Sequence, residues 1–375
     1  MALGSERIHE LDFYDFEIER LRNKHIFIYG AGGFGKEVYS FLTRNRICIE
    51  GFLDQRANDI EQYCCQTVYS LDDARIASVK GSATVLFAIV MDKTERHEVL
   101  KKLGTFGFAE ILEAQYFRSL QVKPDNMNEC RNMKDYLEKE KERINAAYML
   151  FHDEKSKHIY NANIKGYFYR NYSECEKYED KLSEQYMPED VVLHKGYRRV
   201  IDCGGYIGDT VSLFCQQKKD QIEKIVSFEP DLNNYMKLAN NIKKYNVEIS
   251  TYPCAVSNRI FFSKFVEGTG SGLMSDAGTI NVLAVTIDET LINFNPTFIK
   301  MDIEGEELKA LHGARKTIEQ SKPDLAICVY HNVNHMWDVP LLLNSWGLNY
   351  RYYLRNYNAY SMETVLYATY EEGTI

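Results

Sequence analysis

The chain has 375 residues, which is long enough for two ordinary domains. Its residues are 45% hydrophobic and 26% charged, proportions that are typical of a globular protein and exclude a fibrous or intrinsically disordered one. The formal net charge of -9 argues against nucleic acid as a partner, because phosphate binding needs a basic surface.

The nine cysteines are scattered and show no metal-ligand spacing. An odd number of cysteines without a signal-peptide pattern favours reduced thiols and a cytoplasmic protein. The longest apolar runs, such as residues 84–91, have the length of a strand and are far too short for a membrane-spanning helix. We therefore expect no membrane span and no cysteine-based metal centre.

Alternating apolar strands and helices begin near residue 20. The pattern predicts strands over 25–29, 47–53 and 85–90, and helices over 37–43 and 94–103. Such alternation predicts a parallel sheet with helices on both faces. We assign residues 1–122 to an N-terminal Rossmann-like domain.

A glycine-rich turn follows the first strand of this domain. Gly30, Gly32 and Gly35 have the G-x-G-x-x-G spacing, Gly33 lies between them, and Asp54 ends the next strand, as in dinucleotide sites. The segment also resembles the N-terminal domains of nucleotide-sugar acyltransferases, which implies a nucleotide-linked sugar as ligand. Three interpretations stay open: a nucleotide-sugar or similar phosphate ligand, NAD, or a docking domain without a ligand.

Residues 123–190 have a different character. Met133, Tyr136 and Ile144 recur at helical spacing among lysines and glutamates, which predicts a long amphipathic helix over 132–149. We expect this region to be a helical connector that packs on the second domain.

The strand and helix pattern restarts near Val191. Strands are predicted at 199–203, 224–229, 249–254, 297–302 and 325–330, with an antiparallel pair near 349–354 and 364–369. Helices are expected after the first, second, fourth and fifth of these strands. This is the element order of a Rossmann-like methyltransferase sheet, and we assign it residues 191–375.

A second glycine turn opens this domain. Gly204, Gly205 and Gly208 follow a strand that contains Asp202, and Glu229 ends the next strand. Such a turn lets a ligand approach bare backbone, and a carboxylate at the tip of the next strand accepts both hydroxyls of a ribose. We expect the backbone amides of residues 204–208 to contact the amino-acid part of S-adenosylmethionine (SAM). Asp202 is expected to hold its ammonium, directly or through water, and Glu229 to accept its ribose hydroxyls. The alternative is a turn that merely joins strand to helix.

The fourth strand of this domain carries the candidate reaction centre. Lys300 and Asp302 lie on one face, and the first and fourth strands of a doubly wound sheet flank the crevice that binds ligands. A carboxylate there accepts the proton of a hydroxyl that attacks a methyl group, although Asp302 is also placed to cap the following helix. His331, at the tip of the fifth strand, is the other candidate base. A metal site at His331, His335 and Asp338 is a further alternative that we do not predict.

Several segments resemble the FkbM-type SAM-dependent methyltransferases, over roughly residues 150–370. These segments are 202–210 (Asp-Cys-Gly-Gly-Tyr-Ile-Gly-Asp-Thr), 228–230, 255–257, 285–288, 300–307 (Lys-Met-Asp-Ile-Glu-Gly-Glu-Glu), 353–357 and 363–368. The resemblance implies SAM as the cofactor and methylation of hydroxyl oxygens on sugars, polysaccharides and natural products. Two positions depart from the pattern: Gly205 stands where the family usually has alanine, and Asn356 where related sequences often have histidine.

These observations define the candidate site residues. The predicted cofactor-binding residues are Asp202, Gly204, Gly205, Gly208, Asp209, Thr210, Glu229 and Ala255. The predicted catalytic residues are Asp302, His331 and Lys300, and the predicted substrate-binding residues are Glu304, Arg355 and Tyr357.

The sequence therefore predicts an α/β protein with two Rossmann-like doubly wound domains joined by a helical connector, the second a class I SAM-methyltransferase fold. The predicted activity is O-methylation of a hydroxyl on a sugar, glycan precursor or related natural product. The alternatives are an NAD-dependent enzyme or a nucleotide-sugar-binding protein that acts through the first domain. The expected partners are a small-molecule or glycan acceptor, a nucleotide-sugar at the N-terminal domain and a second copy in a homodimer.

Overall fold

The computed structural model describes residues 18–125, 130, 133–266, 273–274 and 278–371. The outer ends of the two predicted domains (1–17 and 372–375) and Asn132, the predicted start of the connector helix, lie outside these ranges.

The N-terminal part forms one twisted sheet with helices on both faces. Its strands are β1 (His25–Tyr29), β2 (Gly51–Leu53), β3 (Gln62–Tyr63), β4 (Gln66–Tyr69), β5 (Ala83–Phe87) and β6 (Glu110–Glu113), in the order β3-β4-β2-β1-β5-β6. Its helices are α1 (Gly33–Arg44), α2 (Lys93–Gly104) and α3 (Ala114–Gln121). All neighbouring strands are parallel except β3 and β4.

One predicted strand of this sheet is shorter than expected. The apolar run over 47–53 pairs with β1 only along Gly51–Leu53. The amide of Ile47 donates to the carbonyl of Leu42 at 2.9 Å, so the start of the run closes the end of α1 instead of extending the sheet.

The C-terminal part contains a small sheet and a large one. The strands are β7 (Arg199–Cys203), β8 (Lys224–Phe228), β9 (Glu248–Tyr252), β10 (Cys254–Val256), β11 (Phe261–Val266), β12 (Leu273–Met274), β13 (Ile280–Val285), β14 (Phe298–Met301), β15 (Asp324–Cys328), β16 (Tyr350–Asn356) and β17 (Thr364–Tyr370). The large sheet has the order β16-β17-β15-β14-β7-β8-β9, and the small one, which was not predicted, has the order β10-β13-β11-β12. In the large sheet β17 runs antiparallel to both neighbours and the remaining pairs are parallel.

Helices cover the large sheet at the predicted places. They are α6 (Asp209–Gln217), α7 (Leu232–Asn241), α8 (Ile287–Thr290), α9 (Glu307–Gly313), α10 (Arg315–Ser321) and α11 (His335–Ser345). The prediction of helices after the first, second, fourth and fifth strands is confirmed. The strand order reverses between β7 and β14, so the crevice for ligands lies at the carboxyl ends of these two strands.

Two helices, α4 (Met133–Leu150) and α5 (Glu154–Tyr169), connect the sheets. The predicted amphipathic helix is α4, and its buried face packs against α11, where the indole of Trp337 donates to Glu140 at 3.2 Å. Helix α5 was not predicted; it packs against β16 and begins where the carboxylate of Asp153 accepts the amide of Ser156. The connector therefore belongs structurally with the large sheet.

Candidate functional site

A cavity of about 430 Å³ opens at the carboxyl ends of the large sheet's parallel strands. Gly204, Glu229, Asp302 and Tyr330, which follow β7, β8, β14 and β15, all line it. The cavity is within the usual size range of ligand sites, and it lies at the crevice that the topology predicts.

The glycine turn after β7 forms the floor of the cavity. Gly204 and Gly208 have φ of +87° and +85°, which side-chain-bearing residues rarely adopt. A Cβ at Gly204 would overlap the backbone carbonyl of Asp302, so glycine is required for the two strand ends to lie this close.

The amides of this turn bond within the protein. Those of Gly204 and Gly205 donate to the carbonyl of Phe228 at 3.0 and 2.9 Å, and that of Gly208 donates to Gly205 at 2.8 Å. Each of these three amides thus already has a backbone acceptor, and a contact of the amides of residues 204–208 with the cofactor stays a prediction. Gly204 lines the cavity, whereas Gly205 and Gly208 lie behind it and shape the turn.

Asp202 is fully buried beneath the turn and does not line the cavity. Its carboxylate accepts from the Ser227 hydroxyl at 2.7 Å and pairs with Lys300 Nζ at 3.0 Å. Lys300 also donates to the carbonyl of Gly204 at 2.6 Å. Burial opposes the ammonium, but the carboxylates of Asp202 and Asp302 hold the pKa of Lys300 above its usual value. Asp202 thus holds Lys300 and the turn in place, and its contact with the cofactor ammonium, directly or through water, stays a prediction.

Glu229 presents its carboxylate to the cavity in a fixed orientation. One oxygen accepts from the amide of Tyr206 at 2.8 Å and the other from that of Asp231 at 2.9 Å. Each oxygen keeps a lone pair for a ligand hydroxyl. Burial, which outweighs these amide bonds, raises the pKa of Glu229 to about 7. Asp209, Thr210 and Ala255, three other predicted cofactor-binding residues, also line the cavity.

Asp302 lies at the opposite end of the cavity, held by two tyrosines. Its carboxylate accepts from Tyr186 at 2.8 Å and from Tyr330 at 3.2 Å. Burial alone would raise its pKa, but Lys300 and His331 outweigh it and hold the pKa below the usual value. Asp302 is therefore an ionised carboxylate at neutral pH.

His331 lies behind Asp302 in a charged network. Its Nδ1 bonds Glu307 at 2.9 Å, and its Nε2 lies 3.4 Å from Asp302 and 3.6 Å from Glu304. Burial disfavours the imidazolium, but Glu307 and Glu304 raise the pKa of His331 to about 10. The second oxygen of Glu307 lies 3.2 Å from His335. Glu307 is fully buried and organises both histidines, a role the sequence analysis missed although Glu307 belongs to the 300–307 motif.

His331, His335 and Asp338, the residues of the alternative metal-site hypothesis, bond to protein groups in the structure. His331 and His335 point to different oxygens of Glu307, while Asp338 pairs with Arg143 at 2.6 Å. Within the described residues, no group of three or more histidine, cysteine and acidic side chains is arranged to hold a metal ion.

The N-terminal sheet supplies part of the cavity wall. Gly33, Phe34 and Glu37 at the start of α1, and Arg118 on α3, line it together with the C-terminal residues. A Cβ at Gly33 would lie 3.6 Å from the Tyr206 hydroxyl, so the two glycine turns face each other. The sequence gives no signal for this juxtaposition, because the residues lie on separately folded sheets.

The other predicted dinucleotide residues are engaged locally. Asp54 accepts from the amide of Ala31 at 2.8 Å and from the backbone and guanidinium of Arg56 at 2.9 to 3.0 Å. Its carboxylate is thus occupied and does not offer the free acceptors that an NAD ribose needs. With Gly30 and Arg56 it lines a separate cavity of about 270 Å³.

Arg355 and Tyr357, two of the predicted substrate-binding residues, do not reach the main cavity. Arg355 is 1% exposed and pairs with Asp153 at 2.7 Å and Asp190 at 2.8 Å. Tyr357 is buried, with its hydroxyl 2.8 Å from that of Tyr367. Both side chains join the last strands to the connector, so the structure gives them a structural role. Glu304, the third predicted residue, does line the cavity.

Across the described part of the chain, the helices are too short or too polar to cross a membrane.

The two parts of the chain match two known families. Residues 202–353 match the methyltransferase FkbM domain, and residues 25–103 match the PglD N-terminal domain. The curated proteins contain no match to the chain.

The fold is also similar to solved structures. Methyltransferase FkbM from Methylobacillus flagellatus is 21% identical, with a TM-score of 0.62 over 95% of this chain and 93% of that chain. SAH-bound methyltransferase PaMTH1 from Podospora anserina is 12% identical, with a TM-score of 0.33 over 63% of this chain and 97% of that chain. The first likeness shows a shared fold. The domain matches show that the chain is a SAM-dependent methyltransferase with a methyltransferase FkbM domain over residues 202–353 and a PglD N-terminal domain over residues 25–103.

Proposed function

We propose that the enzyme methylates a hydroxyl oxygen on a sugar, glycan precursor or related natural product, with Asp302 as the general base. The observation that supports this most is the position of Asp302: a carboxylate at the cavity wall, on the other side of β7 from Glu229, held by Tyr186 and Tyr330. A carboxylate in that position accepts a hydroxyl proton as the oxygen becomes a nucleophile.

The residues at the other end of the cavity fit SAM. Glu229 offers lone pairs for two ribose hydroxyls, and Phe228, Ala255 and Val256 give an apolar surface beside it for an adenine. SAM, when bound, supplies a methyl group on a positively charged sulfur. The chain's own contribution is to hold the acceptor hydroxyl against Asp302 and to take up its proton.

His331 does not compete for the role of base, because the imidazolium held by Glu307 has no free lone pair. We infer that it stabilises the negative charge of Asp302 before proton transfer. Lys300 also stabilises the negative charge of Asp302, and its bond to the carbonyl of Gly204 holds the glycine turn in place.

The contacts of Asp54 do not favour an NAD site in the N-terminal sheet, because the amide of Ala31 and the guanidinium of Arg56 already donate to its carboxylate. A nucleotide-sugar at the smaller cavity beside Gly30 stays a prediction, supported by the match to the PglD N-terminal domain.

The proposed SAM site at Glu229 is tested by a calorimetric titration of the protein with S-adenosylhomocysteine, the product form of SAM. Glu229→Ala should weaken binding by about a hundredfold, because two hydrogen bonds to a charged group are lost. Glu223→Ala, at an exposed carboxylate paired with Arg198, is the matched control and should bind as the wild type does. Equal binding by both variants would refute the assignment of Glu229.

The base is tested by Asp302→Asn, which keeps the shape and removes the proton acceptor. Methyl transfer from labelled SAM should fall by at least about a hundredfold while the affinity for S-adenosylhomocysteine stays within about twofold. Activity that survives this change would show that another group takes the proton.

A further inference from the structure

The half of the cavity around Asp302 is walled by both parts of the chain. We call the part of the cavity around Glu229, where we propose that SAM binds, the cofactor half. The charged residues of the remaining wall include Asp302, Glu304 and Glu363 from the methyltransferase domain and Glu37 and Arg118 from the PglD N-terminal domain. An acceptor beside Asp302 therefore lies between the two domains.

Arg118 spans this half of the cavity. Its Nε lies 3.2 Å from Glu37 on the same domain, and its Nη1 lies 3.6 Å from Glu363 on the other. The side chain is 19% exposed, and the neighbouring carboxylates, against the effect of burial, hold its pKa above the usual value. It stays a cation whose longer pairing with Glu363 leaves room for a ligand oxygen to take part.

Glu363 is also aimed at this space. It lies in the turn between β16 and β17 with φ of +56°, and one carboxylate oxygen accepts from Gln185 at 3.0 Å. Burial raises the pKa of both Glu363 and Glu304. Two carboxyl groups, those of Glu37 and Glu363, thus flank the guanidinium of Arg118, and that of Glu304 lines the same cavity.

His331 supports this wall from behind. Its Nε2, on a side chain that is 7% exposed, lies 3.4 Å from Asp302 and 3.6 Å from Glu304. The imidazolium therefore holds these two carboxylates in place without lining the cavity itself.

We propose that the acceptor is an uncharged polyol bound between the two domains, with Arg118, Glu37 and Glu363 as its specificity-determining residues. This rests on the proposed function and names its substrate class. Several carboxylates accept hydroxyl donors, and Arg118 donates to ligand oxygens. A phosphate or nucleotide-linked acceptor would bring like charge against these carboxylates and is selected against. The PglD N-terminal domain is thus part of the methyl-transfer site.

The test measures transfer of labelled methyl groups from SAM to free mono- and disaccharides and to their phosphorylated and nucleotide-linked counterparts. We expect at least one uncharged sugar to react, and its phosphorylated counterpart to react at least about tenfold more slowly. Arg118→Ala should lower kcat/KM for that sugar by about a hundredfold, mainly through KM, because charge-assisted hydrogen bonds to the acceptor are lost. Its affinity for S-adenosylhomocysteine should stay within about twofold of the wild type, because the cofactor half lies in the other domain.

Tyr360→Phe is the matched control, since it removes a contact between the domains, from the Tyr360 hydroxyl to Glu113 at 3.1 Å, outside this cavity. It should leave kcat/KM within about twofold. Preference for phosphorylated or nucleotide-linked sugars, no reaction with any sugar by protein that binds S-adenosylhomocysteine, or equal effects of the two variants would each overturn the proposal. Failure to bind S-adenosylhomocysteine would instead refute the proposed function itself.

Discussion

Asp302 and His331 show how neighbouring charges separate two residues that look equally suited to act as a base. Both lie at strand ends beside one crevice. Lys300 and His331 hold Asp302 ionised, while Glu307 and Glu304 hold His331 protonated. At neutral pH the ionised carboxylate of Asp302 can accept a proton, whereas the imidazolium of His331 already carries both of its protons and cannot act as a base. The assignment of Asp302 follows from this difference in charge state.

Glu229 gives a prediction about pH at the scale of one residue. Its carboxylate must be ionised to accept two ribose hydroxyls, and burial raises its pKa to about 7. The dissociation constant for S-adenosylhomocysteine should therefore rise about tenfold from about pH 8 to about pH 6. Titration calorimetry across this range measures it. Glu229→Gln should bind weakly with little change across the range, and a pH-independent affinity in the wild type would contradict the assignment.

The raised pKa of Glu229 also affects folding. Folding favours the protonated carboxyl, whereas ligand binding needs the ionised one. Because the pKa of Glu229 is about 7 in the folded chain and 4.5 is its ordinary value, the folded chain binds more protons between these values. The contribution of Glu229 to the free energy of unfolding therefore falls as pH rises through this window and is constant above it. Ligand binding and folding pull the same carboxyl in opposite directions, as expected of a site residue.

At the scale of elements, the turn between β1 and α1 separates a structural glycine from a tolerant one. A Cβ at Gly35 would overlap the backbone carbonyl of Gly30, whereas Gly32 has an extended backbone and no atom within 4 Å of an added Cβ. Gly35→Ala should lower the free energy of unfolding by about 3 kcal/mol, and Gly32→Ala should change it by less than about 0.5 kcal/mol. Urea unfolding measures both. Equal losses would mean that the packing of α1 on β1 is not the reason for Gly35.

The large sheet could be predicted from the sequence because its strands are short apolar runs bounded by turns. Helix α5 escaped prediction because its buried residues, such as Ile159, Tyr160, Ala162 and Ile164, do not follow one narrow helical stripe. The small sheet was missed because its strands pair across sequence that carries no strong alternation. Local pattern identifies elements that bury one face regularly, and tertiary contacts decide the rest.

The site likewise contains residues that could be predicted from the sequence and residues that depend on tertiary contacts. Gly204, Glu229 and Asp302 were predictable because strand ends of a doubly wound sheet meet at one edge. Glu307 was within the recognised motif, but its two histidine partners become apparent only once the following helices are placed. Arg118 could not be predicted, because its position over the cavity depends on how two separately folded sheets dock.

At the scale of the whole molecule, that docking depends on a buried arginine. Arg96 on α2 is 4% exposed and bonds both oxygens of Glu179, at 2.6 and 2.8 Å, beyond the connector helices. It also pairs with Glu113 at 3.0 Å and with Glu176 at 3.3 Å. The ions join the N-terminal sheet to the segment before β7, away from the cavity.

Replacement of Arg96 by alanine should loosen the two domains while each keeps its fold. Removing one partner of a buried ion pair costs about 3 kcal/mol or more, and here the carboxylate of Glu179, which is 1% exposed, loses the guanidinium that pairs with it. Calorimetric melting of Arg96→Ala should therefore show an early transition of the N-terminal sheet. The affinity for S-adenosylhomocysteine should persist, because Glu229 and the two amides that hold it belong to the methyltransferase domain. Methyl transfer should fall, because Arg118 no longer closes the acceptor side of the cavity. Arg75→Ala, at an exposed arginine that pairs with Asp73 inside the N-terminal sheet, should melt as the wild type does. If Arg96→Ala kept full methyl transfer despite separate melting, the acceptor half of the site would not need the N-terminal domain.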